Sequence, residues 1–334
     1  MAVANEGVVL VRRPTGVAQS EDFEVRALPL VEPEAGQIVV KNAFLSVEPA
    51  MRGWIADVGN YSSPVALESV MRSLAVGHVV ASRHPDFSEG DVLTGWFGWQ
   101  RFATVGADAV VRRVTETDLP WSLSLGVLGI NGVTAYLALT QIGRPVAGET
   151  VVVSTAAGSV GSAAGQIAHL LGCRTVGITG GPEKVRQCVD MFGYDAALDY
   201  QAEGLDGGLA QACPDGIDVY YDNTSGEISD TVWRHLAIRA RVIICGTAAY
   251  STWTPWPSGP RMERHLLVKR ARVEGFVIFD HMSEYEPAVA VLADWVRQDR
   301  LRYVEDILDG LEACPDAIAG LYRGENRGKR LIRL

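Results

Sequence analysis

Residues 149–172, ETVVVSTAAGSVGSAAGQIAHLLG, constrain the fold more than any other stretch of the chain. The run ETVVVST (149–155) is apolar without alternation, as expected of a strand covered on both faces of a parallel sheet. Gly158, Gly161 and Gly165 follow, and GSAAGQIAHLLG (161–172) has helical spacing up to Gly172. A strand, a glycine-rich turn and a helix in this order open a βαβ unit. The rhythm continues downstream. RTVGIT (174–179), AALDY (196–200), GIDVYYDN (216–223) and ARVIICG (240–246) read as strands. EKVRQCVDMFG (183–193) reads as a helix with Val185, Cys188, Val189 and Phe192 on one side. Strands alternating with helices predict a doubly wound α/β sheet.

The chain has a different character before about residue 120. QIVVKNAFLSV (37–47), AVGHVVASR (75–83), GDVLTGW (90–96) and FATVG (102–106) are short strand patterns bounded by Gly, Pro and Asp. They predict a small, mostly β domain, followed by a helix-prone stretch over 124–143. The mixed run VKRARVEG (268–275) reads as a strand edge or a helix end. In the tail, 287–301 and 310–324 are helical in pattern and KRLIRL (329–334) is a strand. The pattern leaves open whether this tail returns to the first domain.

Composition excludes several classes. A net charge of −10 argues against a nucleic-acid partner. No apolar run reaches the roughly 18 residues of a membrane span, and the first residues lack the order of a signal peptide, so a cytoplasmic protein is the default expectation. The five cysteines are scattered with no C-x-x-C pair, which predicts reduced thiols and no zinc knuckle.

The glycine turn is a candidate phosphate cradle. A helix N-terminus offers unpaired N–H groups and a partial positive charge, and glycines let the backbone approach a pyrophosphate. Here the motif is A-A-G-S-V-G, with Ala156 at the first glycine position, so a plain tight turn is the alternative. It lacks the G-K-[ST] ending of a P-loop. After the second strand, an NAD site places an acid that bonds the ribose. This chain has GITGGPEK, with no acid before Glu183 and with Lys184 next to it. A cation without the acid suits a 2′-phosphate, hence NADP(H); a solvated lysine is the alternative.

These segments, with LSVEPAMRGW (45–54), SRHPDFSEGDV (82–92), LGVLGINGVTAYLAL (125–139), DVYYDN and GLYRGENRGKRLIRL (320–334), resemble the medium-chain dehydrogenase/reductase superfamily. More narrowly, they resemble its zinc-independent leukotriene/prostaglandin and curcumin reductases. The resemblance implies a GroES-like domain over 1–125 and 300–334, a Rossmann domain over 126–299, an active site in the cleft and a homodimer. It implies no metal: VGHVV gives His78 followed by Val79, and no cysteine precedes Cys173. It also implies cofactor contacts at Thr134, Ala157, Gly158, Val160, Gly161, Lys184, Tyr200, Asn223, Cys245, Gly246, Phe276 and Asn326. Tyr200 reads alternatively as a ring closing the sheet edge. Two departures stand out. The family's DNVGG is DNTSG here, so Thr224 and Ser225 replace Val and Gly. CGTAAYSTW brings Tyr250 one residue early.

The implied chemistry is reduction of the double bond of an α,β-unsaturated ketone or aldehyde by NADPH, with hydride going to the β-carbon. The enolate oxygen then needs a hydrogen-bond donor. Both tyrosines that the family uses are missing, replaced by Ala50 and Val268. Tyr61 and Tyr250 remain as candidate donors, or as ordinary half-buried rings. Ala50, Trp96, Phe97, Trp99 and Val268 are the candidate pocket residues for a small hydrophobic enone or enal, with core packing as the alternative for the aromatic ones. Quinone reduction and a non-catalytic NADPH sensor remain open.

Overall fold

The computed structural model describes residues 5–57, 61–250, 252, 253 and 255–334. The chain forms two compact units, 1–125 with 305–334, and 126–304.

The first unit is built on antiparallel pairing, apart from the parallel pair Glu305–Asp309 and Lys329–Arg333. Its larger sheet has seven strands, ordered Glu305–Asp309, Lys329–Arg333, Gln37–Ser46, Ala75–Ser82, Val92–Gly95 and Val110–Arg113, with Phe102–Gly106 also on Gln37–Ser46. A second sheet has Asn5–Leu10 between Phe23–Leu28 and Ser69–Val70. The Asn5–Leu10 and Phe23–Leu28 strands were not expected from the sequence. The tail does return: Leu331–Arg333 pairs antiparallel with Phe44–Ser46. Lys329 fixes this join. Its buried Nζ donates to Ser46 Oγ (2.6 Å), Val47 O (3.0 Å) and Glu48 Oε1 (2.7 Å). A buried ammonium is tolerated only when it is paired and hydrogen-bonded in this way. The expected boundary at 300 falls five residues early, because the Gln166 side chain exchanges two hydrogen bonds with the Arg302 backbone and keeps that turn in the second unit.

The second unit is a six-stranded parallel sheet. Its spatial order is Ala196–Asp199, Arg174–Thr179, Thr150–Ser154, Ile217–Asp222, Leu236–Ile244 and Arg272–Gly275. Numbered along the chain, this is 3-2-1-4-5-6, the Rossmann order, with its switch point between Thr150–Ser154 and Ile217–Asp222. VKRARVEG divides into the end of the helix Glu263–Lys269 and the edge strand Arg272–Gly275. The 183–193 helix differs from its expected face. It is α-helical over Pro182–Arg186 and widens to a π-turn over Gln187–Met191. The wider turn keeps Cys188 and Phe192 buried and turns Val189 to solvent.

The glycines of the turn have distinct packing roles. A Cβ on Gly161 would lie 2.2 Å from the Thr155 carbonyl oxygen, and one on Gly165 would lie 2.0 Å from Tyr194 Cζ. Tyr194 completes the clamp by donating its hydroxyl to Gly161 O at 2.7 Å.

Candidate active site

The helix Ser159–Leu170 starts at Gly158 with no side-chain cap, directly after the Thr150–Ser154 strand. Its first N–H groups have no intrahelical acceptors, so the turn Ala157–Gly161 presents donors and the positive end of a three-turn helix at the carboxyl edge of the sheet. Ala156, at the position of the missing first glycine, is fully buried and donates its N–H to Ile178 O at 3.0 Å. The small Cβ is accommodated against Gly177, where a second Cβ would come within 2.7 Å.

Across the switch point stands Asp222, a carboxylate at 0% exposure. No cation pairs with it among the described residues. Its Oδ1 accepts the backbone N–H groups of Thr224 (2.9 Å) and Ser225 (2.8 Å), and Ser154 Oγ reaches it at 3.3 Å. Its Oδ2 accepts from Ser229 Oγ at 2.7 Å. Tyr220 donates to Oδ1 at 3.1 Å; burial first, and this carboxylate second, push the Tyr220 phenol well up, so it stays protonated. Asn223 is thereby held with its N–H on Ser154 Oγ (2.8 Å) and its Nδ2 on Ser154 O (2.7 Å). Asp222, within DVYYDN, is a functional residue that the sequence expectations miss. An Asp at a strand end before N-T-S is a known turn-capping pattern, which is the signal that was available.

Ser225 occupies a glycine conformation, φ 59° and ψ −158°. Its N–H on Asp222 and its Oγ on Gly246 O (3.3 Å) hold it there. Such backbone costs on the order of 1–3 kcal/mol in a non-glycine residue. Ser225→Gly is therefore expected to stabilise the protein by about 1 kcal/mol, after the loss of one weak hydrogen bond and the extra unfolded-state entropy of glycine. A denaturation midpoint that falls would contradict this.

At the outer edge, Asp199 Oδ1 accepts the N–H groups of Gly181 and Gln201, each at 2.9 Å. This acid is occupied in shaping the Gly180–Gly181 turn. Tyr200 is 45% exposed, and its Cε1 lies 3.0 Å from where a Gly180 Cβ would be. Lys184 is half-buried on the short helix that follows the turn. The residues expected to hold a 2′-phosphate thus flank one turn.

The chain matches two family models, the N-terminal domain of oxidoreductase over residues 7–113 and zinc-binding dehydrogenase over 159–294. A putative NADP-dependent oxidoreductase of Bacillus subtilis, YfmJ, is 39% identical over 100% of this chain and 99% of its own. The chain belongs to the medium-chain dehydrogenase/reductase family. The NADPH-dependent curcumin reductase of Escherichia coli is 40% identical over 99% of this chain and 97% of its own length. The NADP-dependent 2-alkenal reductase of Nicotiana tabacum is 34% identical over 99% and 97%. The crystal structure of CurA from Vibrio vulnificus in complex with NADPH superposes with a TM-score of 0.93 at 36% identity, covering 98% of both chains.

The zinc in one family description finds no matching donor set in this oxidoreductase. Among the described residues no three His, Cys, Asp or Glu are grouped to hold an ion, and the residues outside that set include none of these types. His78 lies on Ala75–Ser82 with its ring 6.2 Å from that of Trp121.

In the second unit of the oxidoreductase, Thr134 is buried and its carbonyl accepts the Tyr221 hydroxyl at 3.1 Å. Tyr221 also reaches Cys245 Sγ at 3.4 Å. Burial pushes the Cys245 thiol up to about 11, so it is not a nucleophile at neutral pH. A Cβ on Gly246 would meet Asn223 O at 2.6 Å, so the two strand ends are packed backbone to backbone. Phe276 is buried against His281, rings stacked at 4.7 Å. Tyr250 leans on Trp253 at 5.3 Å, with its Cε1 3.8 Å from the Cβ position of Gly226 in the Asp222 loop. Val268 is exposed on Glu263–Lys269.

In the first unit, Ala50 precedes the helix Met51–Ile55, and both Ala50 and Trp96 pack, partly buried, on the core. Phe97 and Trp99 correct the expectation of pocket residues: at 1% and 0% exposure they are core. Trp99 Nε1 donates to Ser46 O at 3.0 Å, and the Phe97 ring fills the space beside Gly95. Tyr61 is 58% exposed, and the Asn326 amide donates to Gly328 O within its own turn.

Proposed function

We propose that this chain reduces the carbon–carbon double bond of α,β-unsaturated ketones or aldehydes with NADPH, without a metal. The observation that carries the reading is full-length similarity to reductases named for curcumin and for 2-alkenals. The cofactor is NADP(H), and the switch point is built to receive it: the Ala157–Gly161 turn for the pyrophosphate, Lys184 and Tyr200 for the 2′-phosphate. Asn223, Cys245, Gly246, Phe276, Thr134 and Asn326 are the residues we assign to the nicotinamide half. NADPH, when bound, supplies the hydride that goes to the β-carbon. The chain's part is to hold the enone, exclude water and stabilise charge on the carbonyl oxygen, while the α-carbon takes a proton.

We assign the hydrogen bond to that oxygen to Tyr250, because its ring is braced by Trp253 against the Asp222 loop, whereas Tyr61 is open to solvent. Tyr250→Phe is expected to lower kcat by roughly 100-fold, the scale of one positioned proton donor, with NADPH affinity unchanged. Tyr61→Phe giving the larger loss would reverse the assignment.

No helix among the described residues is long and apolar enough to cross a membrane. A cytoplasmic homodimer acting on small hydrophobic enones completes the reading. Leu267 and Val268, exposed on the helix beside the edge strand Arg272–Gly275, are apolar surface that a second copy would cover. The test of function is NADPH oxidation at 340 nm against enones, enals and quinones. Turnover of enones supports the reading. Turnover of quinones alone makes the chain a quinone reductase, and NADPH binding without turnover makes it a sensor.

A further inference from the structure

Phe276, one of the residues assigned above to the nicotinamide half, is braced within the second unit. It is the first residue past the edge strand Arg272–Gly275. Its N–H still donates to Ile244 O at 3.0 Å, so its backbone keeps the register of the sheet where Cys245 and Gly246 leave the neighbouring strand. That bond fixes the backbone and leaves the side-chain torsions to be set by packing. The His281 ring lies on the Phe276 ring, with centroids 4.7 Å apart and planes 15° from parallel.

His281 is itself held. It belongs to the 3-10 stretch Ile278–Glu284, but its backbone leaves helical geometry, φ −122° and ψ 23°, and its ring comes back on a residue five positions earlier. Its Nδ1 is 3.8 Å from Glu284 Oε1, and Gln141 Nε2 donates to Glu284 Oε2. Gln141 lies in the turn Ala138–Gly143, which continues the helix Ile130–Leu137 that carries Thr134. One line of contacts therefore runs from Gln141 through Glu284 and His281 to Phe276. His281 and Glu284 both keep part of their surface in water, so their attraction is screened. The stack is the contact with a fixed geometry. Burial alone does not account for an imidazole here, since it brings less apolar area than Leu or Phe. A flat ring tethered by its polar edge does supply an orientation.

We propose that His281 is a positioning residue for the reduction: stacked on Phe276, it holds that ring in the orientation the nicotinamide requires. The proposal rests on the NADPH-reductase reading and adds to it a residue that acts through Phe276. Misplacing a positioning group by about 1 Å can cost up to about 100-fold in rate. NADPH affinity is expected to depend mainly on the phosphate contacts at the glycine turn and at Lys184.

The test compares His281→Ala, His281→Gln and His281→Phe with the wild type on (E)-pent-3-en-2-one, with rates expressed per NADPH-binding site. The Ala and Gln variants are expected to lower kcat roughly tenfold and to change the NADPH dissociation constant by no more than about twofold. His281→Phe loses the link to Glu284 but keeps a ring that can stack, and is expected to recover about half of the wild-type kcat or more. A merely structural role would lower the number of binding sites and leave the rate per site unchanged. An Ala variant within about twofold of wild type per site, or a Phe variant as slow as Ala, would overturn the proposal. The fluorescence lifetime of bound NADPH, excited at 340 nm, reads the nicotinamide without turnover. It is expected to shorten in the Ala and Gln variants and to return in the Phe variant. A wild type that binds NADPH and reduces no enone would reject the reductase reading, and the lifetimes would still decide: shortening with recovery in the Phe variant sustains the positioning role, and equal lifetimes in all four proteins reject it.

Discussion

Asp222→Ala is expected to lower stability by about 3–5 kcal/mol and to weaken NADPH binding at least tenfold in whatever fraction folds. The side chain removed is small, but its partners are many. Two backbone N–H groups and the hydroxyls of Ser154, Tyr220 and Ser229 converge on this one carboxylate. Leaving a buried donor unsatisfied costs about 1–3 kcal/mol, and the Thr224 and Ser225 N–H groups both donate to this carboxylate. Ser225 also loses the bond that holds its glycine-like backbone. The loop then relaxes, and Asn223 and the contact of Gly226 with Tyr250 relax with it. Asp222→Asn keeps one oxygen for the N–H groups and can donate to Ser229, so it is expected to cost less than half as much. Urea denaturation of the two variants, with NADPH titrated into each, checks both the size and the order. Equal stability of Asp222→Ala and wild type would mean that the loop is held by something else.

Lys184→Ala is expected to raise the NADPH dissociation constant by roughly 10–100-fold and to leave that for NADH within about twofold. The asymmetry is the substance of the prediction. A 2′-phosphate carries nearly two negative charges, and a charge-assisted contact to it contributes about 1.5–3 kcal/mol. NADH lacks that group, so loss of the lysine is expected to leave its binding nearly unchanged. The acid that would favour NADH is not free to substitute, since Asp199 is bound to the Gly181 and Gln201 N–H groups. Stability should change by no more than about 0.5 kcal/mol, because the lysine is half-buried at the surface of a short helix. Isothermal titration with both nucleotides decides it; equal losses for the two would place Lys184 on the shared part of the cofactor.

How much of this was legible in the sequence depends on how local each interaction is. The parallel strands were legible because burial on both faces writes a near-continuous apolar run, as in TVVVS. The glycine turn was legible because its spacing is fixed over seven residues, although the reasons lie elsewhere: Thr155 O for Gly161 and the Tyr194 ring for Gly165. The cluster around Asp222 was not legible. Its partners come from residues 154, 220, 224, 225 and 229, and only the sheet order brings the first of them to the others. Phe97 and Trp99 carry two readings in the sequence, because an aromatic residue in a β domain has the same local pattern whether it faces a core or a pocket; their burial favours the core.

The most direct test of the central claim is the fate of a labelled hydride. NADPH carrying deuterium at C4 of the nicotinamide, incubated with the enzyme and a simple enone, is expected to yield the saturated ketone with deuterium on its β-carbon, read by NMR and mass spectrometry. Deuterium on the carbonyl carbon, as in an allylic alcohol, or an enone returned unchanged while NADPH is bound, would contradict the account.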